Sequence, residues 1–136
     1  MKTKSKDSKI KVLLLITGSI AAVRIPLLVS QLAKENYEIR CVLSKNAEKL
    51  IKPLSLSILS KNPCILEYDQ WSNSQSTPLH IELSSWADIL IIAPLTATTL
   101  AKWVTGNAEG LIPSILIANI KPVSYTHLTL PTNLSV

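Results

Sequence analysis

"IKVLLLITGS" (residues 10–19) sets an almost unbroken aliphatic run against a turn of threonine, glycine and serine. A strand with one face in water alternates apolar and polar residues. A run that does not alternate belongs to a strand covered on both faces, as in a parallel sheet clothed by helices. The same reading applies to "ADILIIAP" (87–94), which closes on a proline and the hydroxyl-bearing "LTATT" (95–99).

Around these two strands the chain alternates in kind. "IAAVRIPLLVSQLAKE" (20–35) has apolar residues at helical spacing, with Pro26 expected to kink or loosen the helix because it lacks a backbone donor. "YEIRCVLS" (37–44) reads as a second strand, "NAEKLI" and "PLSLSILS" as helical turns, and "PCILEY" as a third, weak strand. The polar, proline-ended "DQWSNSQSTPL" (69–79) reads as a loop that could cover a site, and His80 follows it directly, at the head of the segment leading into the second strong strand. Residues 96–106 have helix-start chemistry and a terminal glycine, residues 110–119 a helix interrupted early by Pro113, and "KPV" (121–123) the opening of a further strand. The expected fold is therefore a Rossmann-like three-layer α/β/α domain with right-handed crossovers and a parallel sheet.

Composition agrees. A length of 136 residues suits one domain, and 47% hydrophobic against 17% charged residues argues for a packed aliphatic core. The net charge is +5, but Lys2, Lys4, Lys6, Lys9 and Lys11 against Asp7 place +4 of it in the first eleven residues. That segment (1–9) reads as a basic, disordered tail; a nucleic-acid or lipid-binding arm is the alternative, though no aromatic or arginine interleaves with the lysines. No nucleic-acid partner is expected. No signal-peptide pattern or membrane span is visible, and Cys41 and Cys64 are too few and too far apart for a disulfide framework or a metal motif. A reducing cytoplasm and no metal are expected.

In parallel sheets ligands sit beyond the carboxyl ends of the strands, where strand order reverses. Thr17, Gly18 and Ser19 end the first strand, Ser44 the second, and Pro94 to Thr99 the later strong one. Gly18 would let a ligand approach the backbone, and Ser19 with the following N–H groups would face a phosphate; helix capping explains the same residues. Ser44 and the threonines carry the same double reading. His80 is either a structural histidine or a proton donor and acceptor near neutral pH. The turn is neither G-x-G-x-x-G nor a Walker loop, which disfavours dinucleotides and nucleoside triphosphates.

The order "TGSIAA", "SKNAEKLI.PL", "HIEL..WAD...IAPLTATTLAK", "GNAEGL" resembles the flavin-dependent cysteine decarboxylase (HFCD flavoprotein) family over residues 10–123. Its phosphopantothenoylcysteine decarboxylase branch, free-standing or as the N-terminal half of the bifunctional coenzyme A biosynthesis flavoprotein, is most similar. The resemblance implies a flavodoxin-like sheet in homotrimers or higher homo-oligomers, with FMN at subunit interfaces. It implies Gly18, Ser19, Ser44, Pro94, Thr96 and Thr99 around the flavin, His80 as the active-site histidine and Thr98 against the substrate. The implied reaction is decarboxylation of 4′-phosphopantothenoylcysteine to 4′-phosphopantetheine in coenzyme A biosynthesis, with FMN as electron sink and no net redox change. A peptidyl-cysteine decarboxylase, a flavin prenyltransferase, and a non-catalytic flavin-binding regulatory subunit are the alternatives.

Three departures stand out. Thr98 replaces the family's asparagine, exchanging an amide for a shorter hydroxyl. Glu109 stands where aspartate is common. After residue 123 the family's P-x-M-N segment and cysteine-bearing loop are not found, so 124–136 reads as an unrelated tail after a C-terminally incomplete domain, and His127 receives no role.

Overall fold

Along the first strand, side chains part alternately to two apolar layers. In the computed structural model, which describes residues 8–71, 77–125 and 128–129, Val12, Leu14 and Ile16 point into one core and Leu13 and Leu15 into the other. All five are buried. Non-alternating hydrophobicity is what a strand between two helical layers requires.

The elements run β1 (Ile10–Ile16), a 3-10 turn (Ile20–Arg24), α1 (Ile25–Lys34), β2 (Tyr37–Leu43), a 3-10 turn (Ala47–Lys49), α2 (Pro53–Ser60) and β3 (Ile65–Leu66). A 3-10 turn (Glu67–Trp71), α3 (Leu79–Trp86), β4 (Ile89–Ile92), β5 (Leu95–Thr96), α4 (Ala97–Thr105), α5 (Leu111–Ala118), β6 (Val123–Tyr125) and β7 (Leu128–Thr129) follow. The main sheet has order β3-β2-β1-β4-β6, every neighbour parallel, and β5 pairs with β7 in a second, two-stranded sheet. β1 is central, matched residue for residue to β2 (Ile10↔Tyr37 through Ile16↔Leu43) and on its other side to β4 (Val12↔Ile89 through Leu15↔Ile92). The expected flavodoxin-like α/β architecture is thus the observed one.

Helices α1 and α2 supply Ile25, Val29 and Leu56 to the layer over the even β1 residues, joined there by Ile39, Cys41 and Leu43 of β2. Helices α3 and α5 supply Leu79, Leu83, Leu111, Ile112 and Ile115 to the opposite layer. Arg40 braces the second layer's outer edge, its guanidinium 5.2 Å from the Trp86 ring centroid and 3.6 Å from a Glu82 oxygen.

The prolines behave differently from the expectation. Pro26 occupies the second position of α1, so the predicted kink is a junction between a 3-10 turn and a regular helix. Pro113 is likewise the third residue of α5, which it does not interrupt. The N–H groups at these positions have no intrahelical acceptor, so proline costs nothing there. The segment headed by His80 is not the approach to a strand but the first turn of helix α3. Pairing also continues past residue 123: β6 reaches Tyr125, and Leu95 and Thr96 pair with Leu128 and Thr129. His127 and nearly all of the 1–9 segment lie outside the described residues.

Both cysteines are free. Burial, and secondarily Asp69 and Glu48, push the Cys64 thiol up to about 12, and burial raises Cys41 as well. Each therefore stays a neutral thiol at physiological pH. We expect a thiol-specific disulfide reagent at pH 8 to react slowly with the native protein and quickly in urea, since the thiolate is the nucleophile. Because the folded-state value lies above the unfolded one, the neutral Cys64 thiol contributes stability below about pH 9 that is lost as pH rises toward 12. Leu14→Ala, which empties part of the central layer, should lower unfolding free energy by about 2–5 kcal/mol in urea titrations.

Candidate functional site

The chain winds from β1 outward through β2 to β3, then returns to the other side of β1 with β4 and β6. Adjacent strands β1 and β4 therefore send their following loops to opposite faces of the sheet, and a crevice opens between them. At their carboxyl ends lies a cleft of about 1030 Å³. It is walled by Thr17 to Ile20 after β1, Ser44 to Asn46 and Leu50 after β2, Thr96 to Thr99 with Lys102 after β4, and the turn before α5.

Buried Thr17 donates its hydroxyl proton to the carbonyl of Pro94, joining the two diverging strand ends. Ser44 N–H donates to Ile16 O at 3.0 Å, tying the β2 loop to the end of β1. The hydroxyls then arm the loops. Ser19 Oγ accepts from Ala21 N at 3.3 Å, and Ser44 Oγ accepts from Ala47 N at 3.1 Å. Each also caps a 3-10 turn, so the capping reading is correct as far as it goes. Yet a hydroxyl that accepts still has its proton to donate, so both present donors to the cleft. Thr96 Oγ1 caps α4 by accepting from Thr99 N at 3.3 Å and lies 3.0 Å from Thr99 Oγ1.

Gly18 is required for a reason beyond the one expected. A Cβ there would lie 2.4 Å from Asn46 Cβ and 3.1 Å from Asn46 carbonyl carbon. The space a side chain would take is filled by the β2 loop, and Gly18 itself lines the cleft.

On the far wall, Glu67 lies 44 residues before Leu111 and accepts its N–H on both carboxylate oxygens, at 2.9 and 3.1 Å. A negative charge at the N-terminus of α5 is favourable, and this contact fixes the 3-10 turn whose Gln70 and Trp71 line the cleft. Asp69 secures the same turn by accepting from Leu66 N at 2.8 Å. The segment expected to cover a site thus begins as a cleft wall.

Of the residues singled out in the sequence, Gly18, Ser19, Ser44, Thr96, Thr98 and Thr99 meet in this cleft. Pro94 does not line it; it is buried below, and its carbonyl holds Thr17. His80 does not line it either. As the first turn of α3, which runs back against the strands into β4, it lies at the same carboxyl edge of the sheet, half-buried and without a hydrogen-bond partner among the described residues. Sequence reasoning missed Glu67, Lys45 and Lys102, and reached Trp71 only as part of the 69–79 loop. The carboxylate three residues after Cys64 and the lysine four after Thr98 gave no local signal of a shared cleft.

A family model described as Flavoprotein matches residues 1–132. The chain belongs to this flavoprotein family. Among its relatives, the phosphopantothenoylcysteine decarboxylase of Mus musculus is 33% identical over 115 residues, which cover 84% of this chain and 56% of the mouse protein. A probable phosphopantothenoylcysteine decarboxylase of Streptococcus mutans is 36% identical, covering 79% of this chain and 60% of that protein. The flavoprotein thus spans little more than half the length of these relatives. Among solved structures, a PPC decarboxylase variant complexed with pantothenoylaminoethenethiol superposes with a TM-score of 0.74 at 33% identity, covering 93% of this chain and 69% of that one. The FMN-dependent cysteine decarboxylase SpaF gives 0.78 at 26% identity, covering 86% and 67%. The family match runs past the limits of 10 and 123 read from the motifs.

Gly18→Ala should destabilise this flavoprotein by about 1–3 kcal/mol, the cost of forcing atoms into a filled site. Asn46→Gly on that background removes the nearest obstructing atom and should recover part of the loss. Urea unfolding of the two single variants and the double variant measures the coupling.

Proposed function

We propose that this flavoprotein binds FMN in the switch-point cleft and, within its full-length protein, decarboxylates 4′-phosphopantothenoylcysteine to 4′-phosphopantetheine in coenzyme A biosynthesis. The observation that carries the reading is the pair of strand-end hydroxyls, Ser19 and Ser44. Both accept from backbone, both retain a proton to donate, and both line the cleft whose wall also carries Lys45. A phosphate dianion needs such donors and a cation. The apolar Ile20, Leu50, Ile112 and Pro113 elsewhere in the lining suit a ring system. Relatives bearing the decarboxylase name and the complexed PPC decarboxylase support the substrate. The FMN-dependent cysteine decarboxylase SpaF, at lower identity, supports cysteine decarboxylation in general.

When bound, FMN supplies the electron sink that a cysteinyl carboxylate lacks. The protein's residues do the rest. Ser19, Ser44 and Lys45 hold the phosphate; Thr96, Thr98 and Thr99 form the polar wall beside the reacting centre; Trp71 and Gln70 shield the rim from water. His80 is assigned proton transfer. Since it stands at the sheet edge outside its own cleft, we assign it to a cleft completed by assembly into homotrimers or higher homo-oligomers. An exposed aliphatic face supports association: Ile20 and Val23 of the 3-10 turn, Leu27 of α1, and Leu54 and Ile58 of α2 are 51–72% exposed, and Ile20 reaches the cleft. Such faces mark interaction surfaces. No helix among the described residues is long and apolar enough to cross a membrane, and we place the protein in the reducing cytoplasm, where Cys41 and Cys64 stay thiols.

The full-length protein should purify with non-covalent FMN, identified chromatographically after release. His80→Asn should retain FMN and slow carbon dioxide release from 4′-phosphopantothenoylcysteine by about 10²–10⁴-fold, because an amide does not exchange a proton near neutral pH. FAD or a nicotinamide in place of FMN would overturn the cofactor; undiminished turnover would make His80 structural.

A further inference from the structure

Two cysteines too far apart in the sequence to suggest a bridge are neighbours in the fold. The register of their strands is fixed on both sides of them. Val42 pairs with Ile65 and Leu43 with Leu66, and Asn62 Nδ2 donates to Ile39 O at 2.7 Å across 23 residues, the same offset that separates Cys41 from Cys64. The cysteines fall between these ties and are therefore opposed. Both side chains turn to the layer beneath α1 and α2, Cys41 wholly buried within it and Cys64 half-buried against it. Adjacent strands lie about 4.8 Å apart, inside the roughly 4.4–6.8 Å of Cα separation that a disulfide spans. Burial, and then the nearness of Cys64, push the Cys41 thiol up, as befits two thiols within electrostatic reach of each other.

The two thiols, both free, are unequal in access. β3 is two residues long and stands at the sheet's edge, paired among the described residues to β2 alone. Cys64, just before it, donates its N–H to Ser57 Oγ at 2.9 Å, while its thiol finds only Ile65 O at 4.0 Å. Cys64 is thus the thiol reached first when the edge opens. β3 also leads directly into the turn Glu67–Trp71, which Asp69 secures to Leu66 N and whose Gln70 and Trp71 line the cleft.

We propose that Cys41 and Cys64 form a reversible dithiol–disulfide pair that fastens the edge strand carrying the cleft wall. The oxidant is a low-molecular-weight disulfide. The Cys64 thiolate attacks one of its sulfurs, forming a mixed disulfide and expelling one small thiolate. The Cys41 thiolate then attacks the Cys64 sulfur, closing the bridge and expelling the second. Two protein thiols lose two electrons, the small disulfide gains them, and the two protons released pass to the departing thiolates. Burial slows the first attack, because only the thiolate is nucleophilic, so closure answers sustained oxidation and the pair stays open in a reducing cytoplasm. The pair goes beyond the decarboxylase reading and holds whichever ligand the cleft takes.

The test equilibrates the folded protein with oxidised glutathione at pH 8, blocks free thiols with N-ethylmaleimide and digests with trypsin without reduction. Cleavage after Arg40 and after Lys61 puts the cysteines in separate peptides. These should be found joined, with the mass of two hydrogens lost, and should part on treatment with dithiothreitol. The bridged protein should unfold at a urea midpoint about 1 M higher, because the unfolded chain is looped. Its amides from Leu66 to Trp71 should exchange more slowly than those of the reduced protein. Cys41→Ser should stop at a glutathione adduct on Cys64 and show neither shift. In the unmodified protein, a persistent glutathione adduct, or two free thiols even after refolding from urea in the same oxidised glutathione, overturns the pairing. A bridge that lowers the urea midpoint, or that leaves exchange at the cleft wall unchanged, overturns its role in the folded protein.

Discussion

The hydrogen bond from Thr17 to the Pro94 carbonyl spans the one seam in the sheet where the chain's winding reverses. The cleft-lining loops after β1 and β4 leave from its two sides. Backbone pairing of β1 with β4 ends at Leu15 and Ile92, so beyond that point nothing in the ladder holds the strand ends in register. A buried hydroxyl does so instead, supported by Ala93 N–H on Leu15 O at 2.9 Å. The strands can then part just above the bond, and the loops carrying Ser19 and Thr96 leave from a fixed base. A polar contact placed under a cleft, inside a water-poor core, is geometrically more restrictive than apolar packing because it tolerates little displacement.

Legibility in the sequence followed the range of the forces involved. β1 and β4 are visible because burial on both faces writes itself into consecutive residues, α1 because its apolar positions recur at helical spacing, and α4 because its capping threonines and closing glycine are local signals. α3 was hidden. Its buried residues Leu79, Leu83 and Ser84 include a polar one, which is accommodated only because Ser84 Oγ donates to Ile115 O at 3.4 Å, 31 residues away. With that partner unseen, "HIELSSW" looked like the polar lead-in to a strand. The prolines were misjudged for a related reason: their effect depends on distance from a helix start, and a boundary error of a few residues turns a breaker into a neutral first-turn residue.

The cleft shows the same division. Residues following strand ends could be assigned to it from topology alone, and Thr17 to Ser19, Ser44 and Thr96 to Thr99 line it. Pro94, two residues past β4, lies at the rim of the sheet but beneath the cleft surface, since the direction of a side chain beyond a strand end cannot be told from spacing. Glu67 and Lys102 were invisible because their cleft position arises from contacts made 44 and 7 residues along the chain. A carboxylate whose nearest covalent neighbours belong to an edge strand carries no local mark that it will cap a helix on the other layer.

The close approach of Gly18 to Asn46 has a consequence for how such a protein changes over time. Two loops from different strands interlock at van der Waals range, one contributing a missing side chain and the other the atoms that fill the gap. Neither half can be altered in isolation without opening a void or a collision. A side chain at residue 18 therefore requires a compensating change at residues 46 and 47, and a graft of either loop into another scaffold has to carry both.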